Sequence, residues 1–179
     1  FVNQVTTMAY IASTLGYESN IQKIPELVED IINQEEKIKQ IADTLTNVKN
    51  IFVLGKGLSY PAATEIALKL KEISYIHAEG MMGGELKHGT IALIEDGTPV
   101  ICLAPKNKKS ILSNAEEVKA RGANVILFGQ DDIDLPAEDD INFSITASVA
   151  GQILTYHIAK NKELPIDRPR NLAKSVTVR

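Results

Sequence analysis

Short apolar runs alternate with helical patterns in this chain from Asn50 onward. Each run is apolar on both faces, which is typical of parallel strands that helices cover on both sides. The segments between the runs have the spacing of amphipathic helices. The sequence therefore predicts an α/β fold, a three-layer sandwich around a four- or five-stranded parallel sheet. The predicted strands lie in the runs IFVLG, TPVICLAP, NVILFG and INFSITA.

The two ends of the chain differ from this central part. Residues 1–49 have helical periodicity and predict N-terminal helices that pack on an α/β core at 50–162. Residues 163–179 contain two of the seven prolines and predict an extended tail. We expect one domain over 1–179. Because residue 1 is a Phe inside a helical pattern, we also expect a fragment or an excised domain.

Composition limits the classes of partner. The net charge of −4 argues against nucleic acid, which binds clustered Lys and Arg. The longest apolar runs have the length of strands, so we expect no membrane span. The single cysteine, Cys102, lies in PVICLAP and predicts a buried, unreactive thiol. Without a recognisable signal sequence, the chain is expected to be cytoplasmic.

A glycine turn follows the first predicted strand. In IFVLGKGLSYP, Gly55 and Gly57 precede a helix whose first turn contains Ser59. Free N–H groups at such a helix start can bind a phosphate or a carboxylate. The third glycine of a dinucleotide fingerprint and the Gly-Lys-Ser/Thr of a Walker motif are both missing. A plain strand-to-helix turn is the alternative interpretation.

The following helix has a charged face. Glu65, Lys69 and Glu72 have the spacing i, i+4, i+7, which places them within an arc of about 60°. Ile66 and Leu70 form a separate stripe that should face the sheet. The three charges are either a solvated ladder of ion pairs or a cluster at the edge of a cleft, where carboxylate and amine influence each other's proton affinity.

A glycine-rich segment follows the helix. AEGMMGGELKHG has four glycines in twelve residues and predicts a loop. His77, Glu79, Glu85 and His88 could bind a metal, but they lack a fixed helical register, and we predict no metal and no cofactor. His88 is interpreted as an exposed titrating group, with an ordinary surface histidine as the alternative.

Three stretches carry a family resemblance. ALKLKEISYIHAE, GELKHG and the terminal RPRNLAKSVTV resemble signature stretches in the isomerase half of the glutamine:fructose-6-phosphate amidotransferase (glucosamine-6-phosphate synthase) family. The chain is most similar to the second of that family's two SIS (sugar isomerase) domains. Three motifs in the same order are far more specific than any one of them.

The resemblance implies a role for each matching residue. Glu72 corresponds to the base that moves a proton between carbon 1 and carbon 2 of the sugar, with Lys69 as its support and Glu65 as a nearby acid. His88 matches the ring-opening histidine, which in the family serves the neighbouring subunit. Lys174 in NLAKS matches the lysine that forms an imine with the open-chain ketose.

The resemblance also implies substrate contacts and partners. Glu65 and Ala173, the residue beside Lys174, are predicted to bind substrate. The turn of Gly55, Gly57 and Ser59 is also predicted to bind substrate, because of its free N–H groups and not because of the resemblance. The expected ligand is a sugar phosphate: fructose 6-phosphate, glucose 6-phosphate or glucosamine 6-phosphate. The expected protein partners are the first SIS domain, the glutaminase domain and a second copy of this chain in a homodimer. The family's Ser-rich phosphate loop belongs to the first SIS domain and is not found in this sequence.

The expected activity is ketose–aldose isomerisation and amination of fructose 6-phosphate to glucosamine 6-phosphate, with ammonia from glutamine. One alternative is a non-catalytic SIS module that senses a sugar phosphate; such a sensor needs neither Glu72 nor Lys174. The other is a stand-alone hexose-phosphate isomerase, which would need its own phosphate site at 55–59. These alternatives remain open at the level of sequence.

Overall fold

A parallel sheet forms the centre of the protein. The computed structural model describes residues 1–106, 109–137 and 139–172. The sheet has four strands, all parallel, as the alternation of runs predicts, and their spatial order is β2-β1-β3-β4. Their bounds are Asn50–Gly55 (β1), His77–Met82 (β2), Pro99–Leu103 (β3) and Asn124–Phe128 (β4).

Helices cover both faces of the sheet. One face is packed by α4 and α6, with α2 and α3 against α6; the other is covered by α5 and two 3-10 helices at Glu85–His88 and Thr90–Leu93. This arrangement is the predicted three-layer α/β sandwich with N-terminal helices. The helix bounds are Val2–Thr14 (α1), Ile24–Ile32 (α2), Glu35–Leu45 (α3), Ser59–Ser74 (α4), Ser110–Lys119 (α5) and Asp140–Asn161 (α6).

The turn from β1 into α4 is tight. A Cβ on Gly55 would lie 2.5 Å from the Ser59 carbonyl oxygen, so only glycine allows strand and helix to approach this closely. Gly57 has a φ of +59°, a conformation that favours glycine. From this turn α4 runs back across the sheet with Ile66 and Leu70 buried against it, as predicted.

The glycine-rich segment is partly a strand, which corrects the prediction of a loop. β2 occupies His77–Met82 and pairs in parallel with β1 at one edge of the sheet. Gly80 allows β2 to pack closely on α4, because a Cβ there would lie 2.6 Å from the Ala63 carbonyl oxygen. The glycines made this segment resemble a loop, whereas at Gly80 the small residue permits contact between strand and helix.

The run INFSITA was predicted as a strand and lies instead in the first two turns of α6. Asp139 begins this helix by accepting hydrogen bonds from the backbone N–H groups of Ile141 and Asn142. Within it, the hydroxyls of Thr146 and Ser148 bond to carbonyls one turn earlier. Because α6 is covered by other helices, it is apolar on most sides, and periodicity does not separate such a helix from a buried strand. Although α6 has 22 residues, no helix in the described ranges combines the length and apolarity needed to cross a bilayer.

Candidate active site

The charged face of α4 brings Glu65, Lys69 and Glu72 together. The ammonium group of Lys69 lies 3.7 Å from Oε1 of Glu65 and donates a hydrogen bond to Oε2 of Glu72. Lys69 thus bridges two carboxylates on successive turns of the helix, as the i, i+4, i+7 spacing predicts.

These three side chains are partly withdrawn from solvent. Glu65 retains 12% of its side-chain exposure, Lys69 29% and Glu72 28%. Exposed ladders of ion pairs are usually more open to water and contribute little to stability. The geometry therefore favours the cluster at the edge of a cleft over the solvated ladder. A carboxylate that a small molecule can still reach is able to accept a proton from it.

A cavity of about 270 Å³ lies beside Glu72, between the end of α4 and the tail. Tyr75 lies one turn after Glu72, and the backbone N–H of Arg170 donates to its hydroxyl over 2.8 Å. The tail therefore reaches the charged face of α4. The lining residues are Lys71, Glu72, Tyr75, Arg170, Asn171 and Leu172.

The predicted anion turn lies at the other end of the same helix. Gly55, Gly57 and Ser59 are at the carboxyl edge of the sheet, where α4 begins. Glu72 is thirteen residues after Ser59, which corresponds to about 20 Å along a helix. The structure does not bring this turn and Glu72 into one pocket. Close packing between β1 and α4 already explains why the turn has a glycine at position 55, without a role in binding an anion.

His88 lies across the sheet from Glu72. It ends the 3-10 helix whose Leu86 is buried with α5, whereas α4 packs on the opposite face. The adjacent Lys87 pairs with Glu117 of α5 over 3.2 Å. His88 itself is exposed, as predicted. Within this chain, therefore, His88 and Glu72 do not share a pocket.

Two of the predicted residues, Ala173 and Lys174, lie outside the described residues. The last described residue of the tail, Leu172, lines the cavity beside Glu72. In the described ranges, no group of three or more His, Cys, Asp or Glu side chains is arranged to hold a metal ion.

The other two histidines have structural contacts. His77 begins β2 and lies 3.1 Å from the side-chain oxygen of Asn50 on β1. His157 is buried in α6, where its Nε2 lies 3.0 Å from Glu35 of α3.

Sequence reasoning missed Tyr75 and Arg170. Both stand inside the stretches that carry the family resemblance, KEISYIHAE and RPRNLAKS, and that was the available signal. Their contact joins positions 95 residues apart and has no local pattern.

A larger cavity of about 490 Å³ lies at the amino edge of the sheet, lined by residues that include Asn50, His77 and Asp96. It contains none of the predicted site residues. We regard the smaller cavity beside Glu72 as the candidate site, because Glu72 of the acid–amine cluster and residues of the tail line it together.

Comparison with known proteins agrees with this fold. Residues 44–160, more than half of the chain, match the SIS domain family. The chain is 44% identical to glutamine–fructose-6-phosphate aminotransferase (isomerizing) of Pyrococcus horikoshii over an alignment of 199 positions. The alignment covers 99% of this chain and 33% of that protein. The corresponding protein of Escherichia coli O157:H7 is 38% identical with the same coverage. The chain thus spans about a third of the length of these relatives.

Solved structures give the same result. The C-terminal domain of glucosamine-fructose-6-phosphate aminotransferase from Francisella tularensis superposes with a TM-score of 0.76 at 36% identity, covering 83% of this chain and 45% of that one. Glucosamine-6-phosphate deaminase from Thermotoga maritima has a TM-score of 0.79 at 23% identity, covering 98% of this chain and 55% of that one, which shows a shared fold. The chain therefore belongs to the SIS domain family and matches the C-terminal SIS portion of glutamine–fructose-6-phosphate aminotransferase.

Proposed function

We propose that this chain performs the sugar-isomerase chemistry of a glutamine–fructose-6-phosphate aminotransferase. In this proposal, fructose 6-phosphate and ammonia derived from glutamine are converted to glucosamine 6-phosphate, and Glu72 moves the proton between carbon 1 and carbon 2. The observation that carries the proposal is the Glu65–Lys69–Glu72 cluster beside the cavity that the tail reaches.

The cluster suits a 1,2-proton shift. Such a shift needs one carboxylate that takes a proton from one carbon and returns it to the next. The hydrogen bond from Lys69 orients the carboxylate of Glu72, and Glu65 on the other side of Lys69 keeps that ammonium in place. A sensor module would need no such acid–amine arrangement, so this feature favours an enzyme over a sensor.

The tail supports a role for Lys174 as the imine-forming amine. Leu172 lines the cavity beside Glu72, and Lys174 follows two residues later. Two residues extend at most about 7 Å, so the short spacing along the chain is compatible with this role. A lysine amine that attacks the ketose carbonyl forms an imine and releases water.

The remaining parts of the proposed enzyme come from other chain segments. Because the chain spans a third of its relatives' length, we propose that a first SIS domain supplies the phosphate contacts and a glutaminase domain supplies ammonia. We also propose a homodimer, in which His88 serves the partner's site.

Proton exchange at carbon 1 of fructose 6-phosphate tests the role of Glu72. In D₂O, NMR should show exchange with the wild-type chain and none with Glu72→Gln. Glu79→Gln is the matched control, because Glu79 is an exposed acid on β2 outside the cluster. The measurement is made with the chain alone and with a fragment that supplies the other two thirds of the Pyrococcus horikoshii relative. Undiminished exchange in Glu72→Gln would place the base elsewhere.

Borohydride reduction tests the role of Lys174. A sodium borohydride quench in the presence of fructose 6-phosphate should leave a reduced sugar adduct on Lys174, located by peptide mass spectrometry. Lys174→Arg should give none, whereas Lys160→Arg, a change on α6, should label as the wild type does. Absence of the adduct with the other domains supplied would remove the imine from the proposal.

A further inference from the structure

Tyr75 has a backbone conformation that is unusual for a bulky residue. It ends α4 in the left-handed region with a φ of 57°, as one of three non-glycine residues with positive φ in the described ranges. Helices that end in this way usually place glycine there, because a Cβ is strained in this conformation. Such a conformation persists where contacts in the surrounding structure hold the residue in place.

Both parts of the Tyr75 side chain contact the tail. The guanidinium of Arg170 lies over the ring, 4.2 Å from its centroid, which is a cation–π contact. The hydroxyl accepts a hydrogen bond of 2.8 Å from the backbone N–H of Arg170. The first contact depends on the Arg170 side chain and the second on its main chain. Together they hold the position of Arg170 and the direction of the backbone that leaves it.

The contact lies at the candidate site. Tyr75 is three residues after Glu72, and both line the cavity of about 270 Å³ with Asn171 and Leu172. Asn171 also has a positive φ of 62°, so the tail turns directly after Arg170. On the α6 side, the ammonium of Lys162 donates to the Ser74 carbonyl over 3.0 Å, which ties the start of the tail to the same end of α4.

We propose that Tyr75 is a positioning residue. Its two contacts with Arg170, here called the Tyr75–Arg170 clamp, hold the tail so that Asn171 and Leu172 line the cavity beside Glu72. The consequence for catalysis rests on the proposed function. The clamp itself concerns only the position of the tail, so it can be tested without substrate.

Trypsin provides that test. It does not cut Arg168–Pro169 but can cut Arg170–Asn171, which releases the last nine residues, 171–179. The clamp should slow this cut, because trypsin must take the Arg170 side chain into its own pocket. The rate of formation of the 1–170 fragment is measured by mass spectrometry under native conditions for wild type, Tyr75→Phe and Tyr75→Gly. Tyr156→Phe is the matched control, since Tyr156 lies near a cation, Lys160, but on α6.

Tyr75→Phe should speed the cut roughly fivefold, as expected for the loss of one hydrogen bond. Tyr75→Gly should speed it further, because it also removes the cation–π contact. The midpoint of urea unfolding of Tyr75→Phe should equal that of wild type, which separates positioning of the tail from a structural role that would lower the midpoint. Cleavage rates of both Tyr75 variants equal to that of Tyr156→Phe would overturn the clamp. If Tyr75→Gly does not fold, Tyr75→Phe alone decides the question.

Borohydride trapping on Lys174 tests whether loss of the clamp affects the proposed catalysis. At saturating fructose 6-phosphate, Tyr75→Phe should form the adduct more slowly than the wild type. If the wild type forms no adduct but the Tyr75 variants are still cut faster, the proposed function fails and the clamp stands. If the wild type forms the adduct and the Tyr75 variants match it in the rate of tryptic cleavage and in the rate of adduct formation, the clamp fails and the proposed function stands.

Discussion

Glu72 and His88 lie on opposite faces of one parallel sheet. Glu72 belongs to α4, which packs on the face formed by residues such as Ile51 and Val53, whereas the 3-10 helix that ends at His88 packs with Phe52 and Leu54. Successive residues of β1 point to opposite faces of the sheet, and Glu72 and His88 lie on these two different faces. The family resemblance nevertheless assigns both residues to one reaction. A single chain does not bring them together, and for this reason the proposed function assigns His88 to the site of a second copy.

Mixing two inactive variants should restore activity. Glu72→Gln and His88→Ala should each lack isomerisation of fructose 6-phosphate alone. An equimolar mixture that is unfolded and refolded together should regain roughly a quarter of the wild-type activity, because half of randomly paired dimers are mixed and each contains one intact site. The assay needs the remaining domains as above. No recovery, with mixed dimers verified by native mass spectrometry, would refute the sharing of sites between subunits.

Gly80 should tolerate no side chain. In Gly80→Ala the new Cβ would lie 2.6 Å from both the Ala63 carbonyl oxygen and the Thr64 Cα, so β2 and α4 must move apart. We expect a loss of about 1–3 kcal/mol in the free energy of unfolding, measured by urea denaturation. Gly84→Ala is the control, because a Cβ there meets nothing within 4 Å, and its stability should be close to wild type. Equal stability of the two variants would contradict the close packing at Gly80.

Asp139→Ala should weaken the start of α6. Its carboxylate accepts from the backbone N–H groups of Ile141 and Asn142 over 3.1 and 2.9 Å. Loss of such a cap costs about 0.5–2 kcal/mol, which urea denaturation followed by circular dichroism would measure. Asp167→Ala in the exposed tail should change stability little. An unchanged midpoint for Asp139→Ala would show that buried packing alone sets the start of α6.

Cys102 should be nearly inert in the folded protein. It is fully buried, and burial raises the pKa of its thiol from 9.0 to about 12. Since only the thiolate is nucleophilic, we expect iodoacetamide at pH 8 to label the folded protein roughly a thousandfold more slowly than the chain in urea. Mass spectrometry of quenched time points measures both rates. Comparable rates would mean that β3 opens readily.

Much of the architecture follows from local patterns. The runs at β1, β3 and β4 are apolar on both faces of the strand and predicted a parallel sheet, because strands that helices cover on both faces have no polar side. The i, i+4, i+7 spacing of Glu65, Lys69 and Glu72 predicted their contact, because helix geometry fixes angles between residues on one helix.

The errors occurred where local signals have two meanings. INFSITA is apolar because helices surround α6, and a buried helix and a buried strand share that composition. The glycines of AEGMMGG suggested a loop, but at Gly80 the absent side chain serves close packing between β2 and α4.

The sequence by itself determined the fold class, the charged face of α4 and the family to which the chain belongs, because each rests on residues close together in the chain or on whole motifs. Only the tertiary structure decided that Ser59 and Glu72 lie at opposite ends of α4 relative to the sheet, that His88 lies across the sheet from Glu72, and that Tyr75 contacts Arg170. The physical reason is that these relationships depend on the direction in which each connection crosses the sheet and on contacts between distant segments, and no periodicity within a segment encodes either.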